Sequence, residues 1–231
     1  MKEHFQINNI PATLWGEKSN KLFIAVHGNL SHKEDTVIEL LANEAIGKGY
    51  QVLSFDLPEH GDRKGEETPC KVQHCVHELM EIVQYAQRNW DELSLFACSM
   101  GAYFSLLAYR DIELKTALFL SPVVDMERII RNMMMWFQVT PERLETEKTI
   151  DTPVGQKLYW DYFCYVLEHP VDRWNVDTRI LYGAKDNLVE FDTIRQFTEK
   201  FPCTLEIMDD GEHYFHTDEQ LDVFKQWLEK I

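Results

Sequence analysis

Residues 93–109 constrain the fold of this 231-residue chain more than any other stretch. The segment begins as an apolar strand pattern, turns abruptly between Ala97 and Gly101, and continues as a helical pattern. A strand and a helix joined by so tight a turn pass close together, so only small residues fit two positions before and after the central Ser99. Ala97 and Gly101 meet this requirement. The turn is therefore expected to hold Ser99 at its tip in a strained backbone conformation.

Strand and helix patterns alternate along most of the remaining chain. The predicted strands cover residues 4–9, 12–15, 21–26, 50–55, 93–96, 116–121, 179–182 and 204–208. Predicted helices cover residues 33–46, 71–90, 193–201 and 217–230, beside the helix that follows Ser99. Such alternation predicts right-handed crossovers and an α/β fold with a mostly parallel central sheet and helices on both of its faces.

Residues 123–176 interrupt this alternation. They contain two apolar segments, 129–137 and 157–167, separated by an acidic span and without an obvious strand. A connection of this length is too long for a simple loop. The sequence therefore predicts a core domain formed by residues 1–122 and 177–231, with a small helical cap inserted after the sixth strand.

The amino-acid composition indicates which kinds of partner the protein can bind and in which cellular compartment it is expected. Lys and Arg number 23 against 39 Asp and Glu, and the net charge of −16 disfavours nucleic acid and anionic membranes as partners. The N-terminus has no apolar signal-peptide core, and no apolar run has the length of a membrane span. The five cysteines are scattered without a C-x-x-C motif, which is typical of reduced thiols in a cytoplasmic protein.

Short polar motifs follow five of the predicted strands, and with them the chain resembles the α/β-hydrolase fold over nearly all of its length. The motifs are His27-Gly28-Asn29, Asp56-Leu57-Pro58-Glu59-His60-Gly61, Ala97-x-Ser99-x-Gly101, Gly183-x-x-Asp186 and Gly211-x-His213. The carboxyl ends of parallel strands meet at one edge of a sheet, where open α/β folds bind ligands. Two positions depart from the usual pattern, since Ala97 and Glu59 each replace a more usual glycine.

The resemblance implies a serine hydrolase in which Ser99 is the nucleophile, His213 the base and Asp186 the acid, in the chain order of that family. An imidazole activates the hydroxyl, and a carboxylate fixes the tautomer of the imidazole. The resemblance further implies that the backbone N–H groups of Asn29 and Met100 form the oxyanion hole. No cofactor and no metal are expected.

Other residues compete for the acid and base roles. Glu190 and Asp192 lie close to Asp186 in the sequence, but Asp186 follows a strand end directly, whereas Glu190 is placed to begin the next helix. His216 competes with His213, which stands nearer the exit of the last strand.

Cys70, His74, Cys75 and His77 resemble a metal cluster at first sight. On a helix, however, Cys75 lies on the apolar face, whereas His74 and His77 lie on the opposite, polar face. Because no fourth ligand at zinc spacing is evident, we interpret these residues as parts of an amphipathic helix.

The expected substrate is a small, neutral, largely apolar carboxylic ester, because the predicted cap is rich in Met and aromatic residues. Met134, Phe137, Trp160 and Phe163 are the candidate substrate-binding residues. The alternatives for these apolar residues are plain core packing and a homodimer contact. The alternative functions are action of the same triad on an amide, thioester, peptide or C–C bond, and a non-catalytic small-molecule receptor.

Overall fold

The computed structural model describes residues 1–231 and contains ten strands and eight α-helices, besides a 3₁₀ helix at Gly61–Arg63. The strands are β1 (Lys2–Ile7), β2 (Ile10–Trp15), β3 (Lys21–Val26), β4 (Gln51–Phe55), β5 (Glu92–Cys98), β6 (Ala117–Leu120), β7 (Thr149–Asp151), β8 (Lys157–Tyr159), β9 (Thr178–Gly183) and β10 (Cys203–Met208). The helices are α1 (Thr36–Gly47), α2 (Val72–Asn89), α3 (Met100–Ala108), α4 (Met126–Trp136), α5 (Pro141–Glu147), α6 (Trp160–Glu168), α7 (Phe191–Lys200) and α8 (Asp218–Leu228). None of these helices has both the length and the apolar character needed to cross a membrane.

Eight strands form one sheet in the order β1-β2-β4-β3-β5-β6-β9-β10. All neighbours from β4 to β10 are parallel, whereas β2 is antiparallel to β1 and to β4. The predicted mostly parallel sheet is therefore confirmed, and β1 and β2 add an antiparallel hairpin at its edge. One detail differs, because Pro11 lies inside β2, opposite Gln6, rather than between the two strands. Pro is tolerated there because it is close to the start of the strand.

The central strands are buried on both faces. Every residue of β3 from Leu22 to Val26 is inaccessible to solvent, which explains the continuous apolar run in its sequence. Helices α2 and α3 pack on one face of the sheet, and α1 and α8 pack on the other. The carboxyl ends of the parallel strands are left uncovered by these helices and are available for a site.

The connection between β6 and β9 contains α4, α5, α6 and a two-stranded antiparallel hairpin of β7 and β8. We call it the insertion. Helix α6 packs against α4 and against α2 of the core. The sequence interpretation missed the hairpin, because two strands of three residues each are too short to show an alternating pattern.

The turn between β5 and α3 has the conformation expected from its sequence. Ser99 has φ 48° and ψ −123°, a region that non-glycine residues rarely occupy. A Cβ atom built on Gly101 would lie 2.4 Å from the backbone oxygen of His27 and 2.9 Å from that of Val26. Helix α3 therefore begins in backbone contact with the end of β3, and only glycine fits at position 101.

Gly101→Ala should destabilise the protein by more than about 2 kcal/mol, because the methyl group must push apart two backbone segments. Gly47→Ala is the matched control, since a Cβ atom there meets nothing within 4 Å and Ala favours a helix. The free energy of unfolding in urea checks both variants. Equal stability of the two variants would contradict the tight contact at Gly101.

His27 links the loop after β3 to the loop after β4. Its imidazole is fully buried, its Nδ1 lies 2.7 Å from the Gly28 carbonyl oxygen, and its Nε2 lies 3.0 Å from the Leu57 backbone nitrogen. Nδ1–H therefore donates to Gly28, and the unprotonated Nε2 accepts the Leu57 N–H. Burial lowers the pKa of His27 to about 4, so the ring is neutral at physiological pH.

The stability of the fold should fall as the pH is lowered from about 6.5 to about 4. In this range the unfolded chain binds a proton at His27 and the native chain does not, which costs the native state about 3 kcal/mol in total. Unfolding free energies across this range should show a shallower slope for His27→Gln than for the wild type. His77→Gln, at an exposed position on α2, should keep the wild-type slope. A wild-type slope in His27→Gln would disprove the assignment.

Candidate active site

Three predicted residues from distant parts of the chain meet at the carboxyl edge of the sheet. Ser99 follows β5, Asp186 follows β9 and His213 follows β10. The Ser99 hydroxyl oxygen lies 2.7 Å from His213 Nε2, and His213 Nδ1 lies 2.7 Å from Asp186 Oδ2. The structure therefore brings the three side chains into one hydrogen-bonded chain.

The Asp186 carboxylate is fixed by the backbone of its own loop. Its side chain is fully buried, and its Oδ1 accepts the N–H groups of Leu188 and Val189, each at 2.8 Å. The other carboxylate oxygen, Oδ2, accepts a hydrogen bond from His213. Because an ionised carboxylate only accepts, Nδ1 of His213 carries the proton, and the lone pair of Nε2 faces the Ser99 hydroxyl.

The loops that carry Asp186 and His213 touch backbone to backbone. A Cβ atom built on Gly183 would lie 2.4 Å from the carbonyl carbon of Gly211, and the Lys185 N–H donates to the Gly211 oxygen at 2.8 Å. The glycines of these two motifs therefore set the separation of the acid and the imidazole. Both glycines belong to the sequence motifs described above, but the motifs alone do not indicate this contact.

The residues that competed for the acid and base roles have other partners. Glu190 accepts hydrogen bonds from Arg128 and from Asn132 of α4. Asp192 lies in the first turn of α7, within 3.4 Å of a side chain of the same helix. His216 Nδ1 lies against the Tyr214 carbonyl oxygen. None of the three contacts Ser99 or His213.

Asn29 and Met100 line the same cavity as Ser99. The N–H of Met100 belongs to the first turn of α3, where the helix itself supplies no acceptor. The N–H of Asn29 makes no hydrogen bond to another backbone group. Neither N–H is therefore paired with another backbone group, and both residues line the cavity that contains Ser99.

The cavity above Ser99 has a volume of about 360 Å³, a size typical of small-molecule sites. The insertion supplies most of the lining residues. They are Val123, Met126, Ile129, Ile130, Met133, Gly155, Gln156, Lys157, Leu158, Tyr159 and Tyr162. The remaining lining residues, apart from those named above, are Leu30, Glu59, His60, Cys70 and Leu188.

The structure does not place the four candidate substrate-binding residues in the lining of this cavity. Met134 and Phe163 are buried in the core, and Phe137 and Trp160 pack against it. Successive residues of a helix point about 100° apart, so Met133 faces the cavity whereas its neighbour Met134 faces the core. The apolar composition predicted a lined cavity but could not decide which face of each helix lines it.

The two cysteines and two histidines around the start of α2 do not share one site. Cys70 and Cys75 lie with their sulfur atoms 3.6 Å apart, whereas His74 contacts the Pro69 carbonyl oxygen and His77 is exposed. No group of three or more His, Cys, Asp or Glu side chains is arranged to hold a metal ion. The position of Cys70 in the wall of the cavity was not predicted.

A second cavity, of about 250 Å³, lies between α4, α6 and α7. Tyr103 and Phe197 are among its lining residues, and neither Ser99 nor His213 reaches it. Because Ser99 lines the larger cavity and not the smaller one, we assign the candidate active site to the larger cavity.

No family model matches the chain, and no curated protein matches it by sequence. Solved structures do match it. Est1E from Butyrivibrio proteoclasticus, with ferulic acid bound, is 22% identical with a TM-score of 0.82, covering 99% of this chain and 96% of its own. Mouse alpha/beta hydrolase domain-containing protein 10 is 14% identical with a TM-score of 0.78, covering 100% and 97%. The Pyrococcus furiosus esterase Pf2001 is 18% identical with a TM-score of 0.70, covering 100% and 89%. With the sheet order described above, these similarities show that the chain has the α/β-hydrolase fold.

Proposed function

We propose that the protein is a serine hydrolase that cleaves carboxylic esters. The observation that carries this proposal is the unbroken series of hydrogen bonds from Ser99 through His213 to Asp186. The name of one similar protein supports it, since Pf2001 of Pyrococcus furiosus is called an esterase, but its low identity extends only to the fold.

In the proposed reaction, the Ser99 oxygen attacks the ester carbonyl while His213 Nε2 takes the hydroxyl proton. Asp186 holds the ring and stabilises the imidazolium that forms. The N–H groups of Asn29 and Met100 bind the oxyanion, each contributing about 3 kcal/mol to the stabilisation of the transition state. His213 then gives its proton to the leaving alcohol, and water, activated by the same imidazole, releases the acid from the acyl-enzyme.

The wall of the cavity supports a neutral, largely apolar substrate. Most of the lining residues are apolar, among them Ile129, Ile130 and Met133 of α4, and such side chains suit an uncharged acyl or aryl group. The net charge of −16 disfavours anionic substrates during encounter. Est1E, whose structure contains ferulic acid, makes aryl esters a reasonable part of a first substrate panel.

Ser99→Ala should abolish ester hydrolysis and leave the fold intact, because the hydroxyl faces the cavity and bonds only to His213. Hydrolysis of p-nitrophenyl butyrate and the thermal unfolding midpoint together check this expectation. A fluorophosphonate should add covalently to Ser99 in the wild type and to no residue in the variant. Retention of more than a few per cent of the turnover would contradict the role of Ser99, and an unlabelled wild type would favour the receptor alternative.

For p-nitrophenyl esters, kcat/KM should rise from acetyl to hexanoyl by up to about fourfold per methylene, since each buried CH₂ contributes about 0.8 kcal/mol. Met133→Ala should weaken this dependence because it removes part of the cavity wall. Met135→Ala, an exposed neighbour on the same helix, is the control and should behave as the wild type. A flat profile in the wild type would mean that the apolar wall does not hold the acyl chain.

A further inference from the structure

Two thiols meet at the beginning of α2 because of their positions relative to the helix start. Lys71 is the N-cap of α2, so Cys70 precedes the cap and Cys75 is the fourth residue of the helix. Side chains at these two positions commonly pack against each other and fix the entry of the chain into the helix. Here the pair is two cysteines, whose Sγ atoms lie 3.6 Å apart as free thiols.

One thiol of the pair is accessible and the other is not. Cys70 lines the cavity that contains Ser99, whereas Cys75 is fully buried behind it. A small molecule that enters the cavity therefore meets Cys70 first. Cys75 is in place to attack Cys70 after Cys70 has reacted.

His60 lies next to this pair, and its surroundings favour the protonated ring. Its Nδ1 lies 2.8 Å from the Pro58 carbonyl oxygen and its Nε2 lies 3.3 Å from Asn29 Oδ1. Two acceptor oxygens, one at each ring nitrogen, are both satisfied only by an imidazolium, which carries two N–H donors. Burial opposes this charge, but hydrogen bonding to Cys70 and to Pro58 outweighs it and raises the pKa of His60.

The charge state of Cys70 follows from these neighbours. Hydrogen bonding from Cys75, together with the neighbouring His60, lowers the pKa of Cys70 and favours its thiolate. The other cysteines differ, because burial raises the pKa of Cys75, Cys98, Cys164 and Cys203. Cys70 is therefore the most nucleophilic thiol of the chain.

We propose that Cys70 and Cys75 are a redox-active dithiol in the wall of the cavity, which reduces hydroperoxides and closes to a disulfide. The proposal does not depend on ester hydrolysis. It assigns to the cavity a second nucleophile with its own class of substrate, the small hydroperoxides.

The reaction balances in two steps. The Cys70 thiolate attacks the terminal oxygen of the hydroperoxide, the O–O bond breaks, and the departing alkoxide takes the proton of the His60 imidazolium to leave as an alcohol. Cys75 then attacks the sulfur of the Cys70 sulfenic acid, the S–O bond breaks, and the hydroxide leaves as water with the Cys75 proton. One hydroperoxide gains two electrons and the two thiols lose one each.

The sequence between the two cysteines makes the product easy to identify. Lys71 separates Cys70 from Cys75, so trypsin cleaves between them and leaves two peptides, 65–71 and 72–88, joined only by the disulfide. The full-length protein is treated with a small excess of hydrogen peroxide, free thiols are alkylated, and the digest is analysed by mass spectrometry with and without dithiothreitol. We expect the linked pair of peptides to be the first oxidation product and to disappear on reduction.

Three variants separate the proposal from nonspecific oxidation. Cys75→Ser should stop at the sulfenic acid of Cys70, which dimedone traps, whereas Cys164→Ser should form the disulfide as the wild type does. His60→Gln should slow disulfide formation at pH 7 by about tenfold, because the thiolate loses its cationic neighbour. Ser99→Ala should form the disulfide at the wild-type rate, so the outcome is independent of the proposed esterase activity.

Several results would overturn the proposal. These are oxidation of Cys164 or Cys203 before Cys70, conversion of wild-type Cys70 to a sulfinic acid without the linked peptides, and an unchanged rate in His60→Gln. In each case the short sulfur–sulfur distance would reflect helix packing alone.

Discussion

The backbone contact between Gly101 and the carbonyl oxygen of His27 is the constraint on which the rest of the site depends. It fixes the start of α3 against the end of β3, and this leaves Ser99 no conformation other than a strained one with its hydroxyl in the cavity. The same contact sets the loop of Asn29 beside the first N–H of α3. His27, neutral and buried, then ties this loop to the one that follows β4. The proposed nucleophile Ser99 and the proposed oxyanion donors Asn29 and Met100 thus owe their positions to backbone geometry rather than to any side chain of the insertion.

A second backbone contact, between Gly183 and Gly211, fixes the position of Asp186 relative to the imidazole of His213. Both loops leave neighbouring parallel strands, and the absence of side chains lets them touch. Asp186 is held further by two N–H groups of its own loop, so the carboxylate needs no cationic partner to stay in place. Rigid loops on a rigid sheet are what a catalytic arrangement requires, because an error of about 1 Å in position costs orders of magnitude in rate.

The cavity above these loops has two chemically different walls. Apolar residues of α4 form one wall, and His60 with Cys70 forms part of the other. In the two proposed reactions, the apolar wall holds the acyl or aryl group near Ser99, and Cys70 with His60 reacts with a small hydroperoxide. Since the two proposed nucleophiles have different partners, single substitutions should remove one reaction without the other.

The sequence by itself determined the alternation of strands and helices, the parallel sheet and the residues at its carboxyl edge, because local periodicity and tight-turn chemistry depend on near neighbours in the chain. Ser99, Asp186 and His213 could be identified in this way, since each follows a strand end within a short motif. Only the tertiary structure decided that Met133 rather than Met134 faces the cavity, that β7 and β8 form a hairpin, and that Cys70 lies in the cavity wall. Those outcomes depend on the rotation of helices about their axes and on contacts between segments far apart in the sequence, which no local pattern encodes.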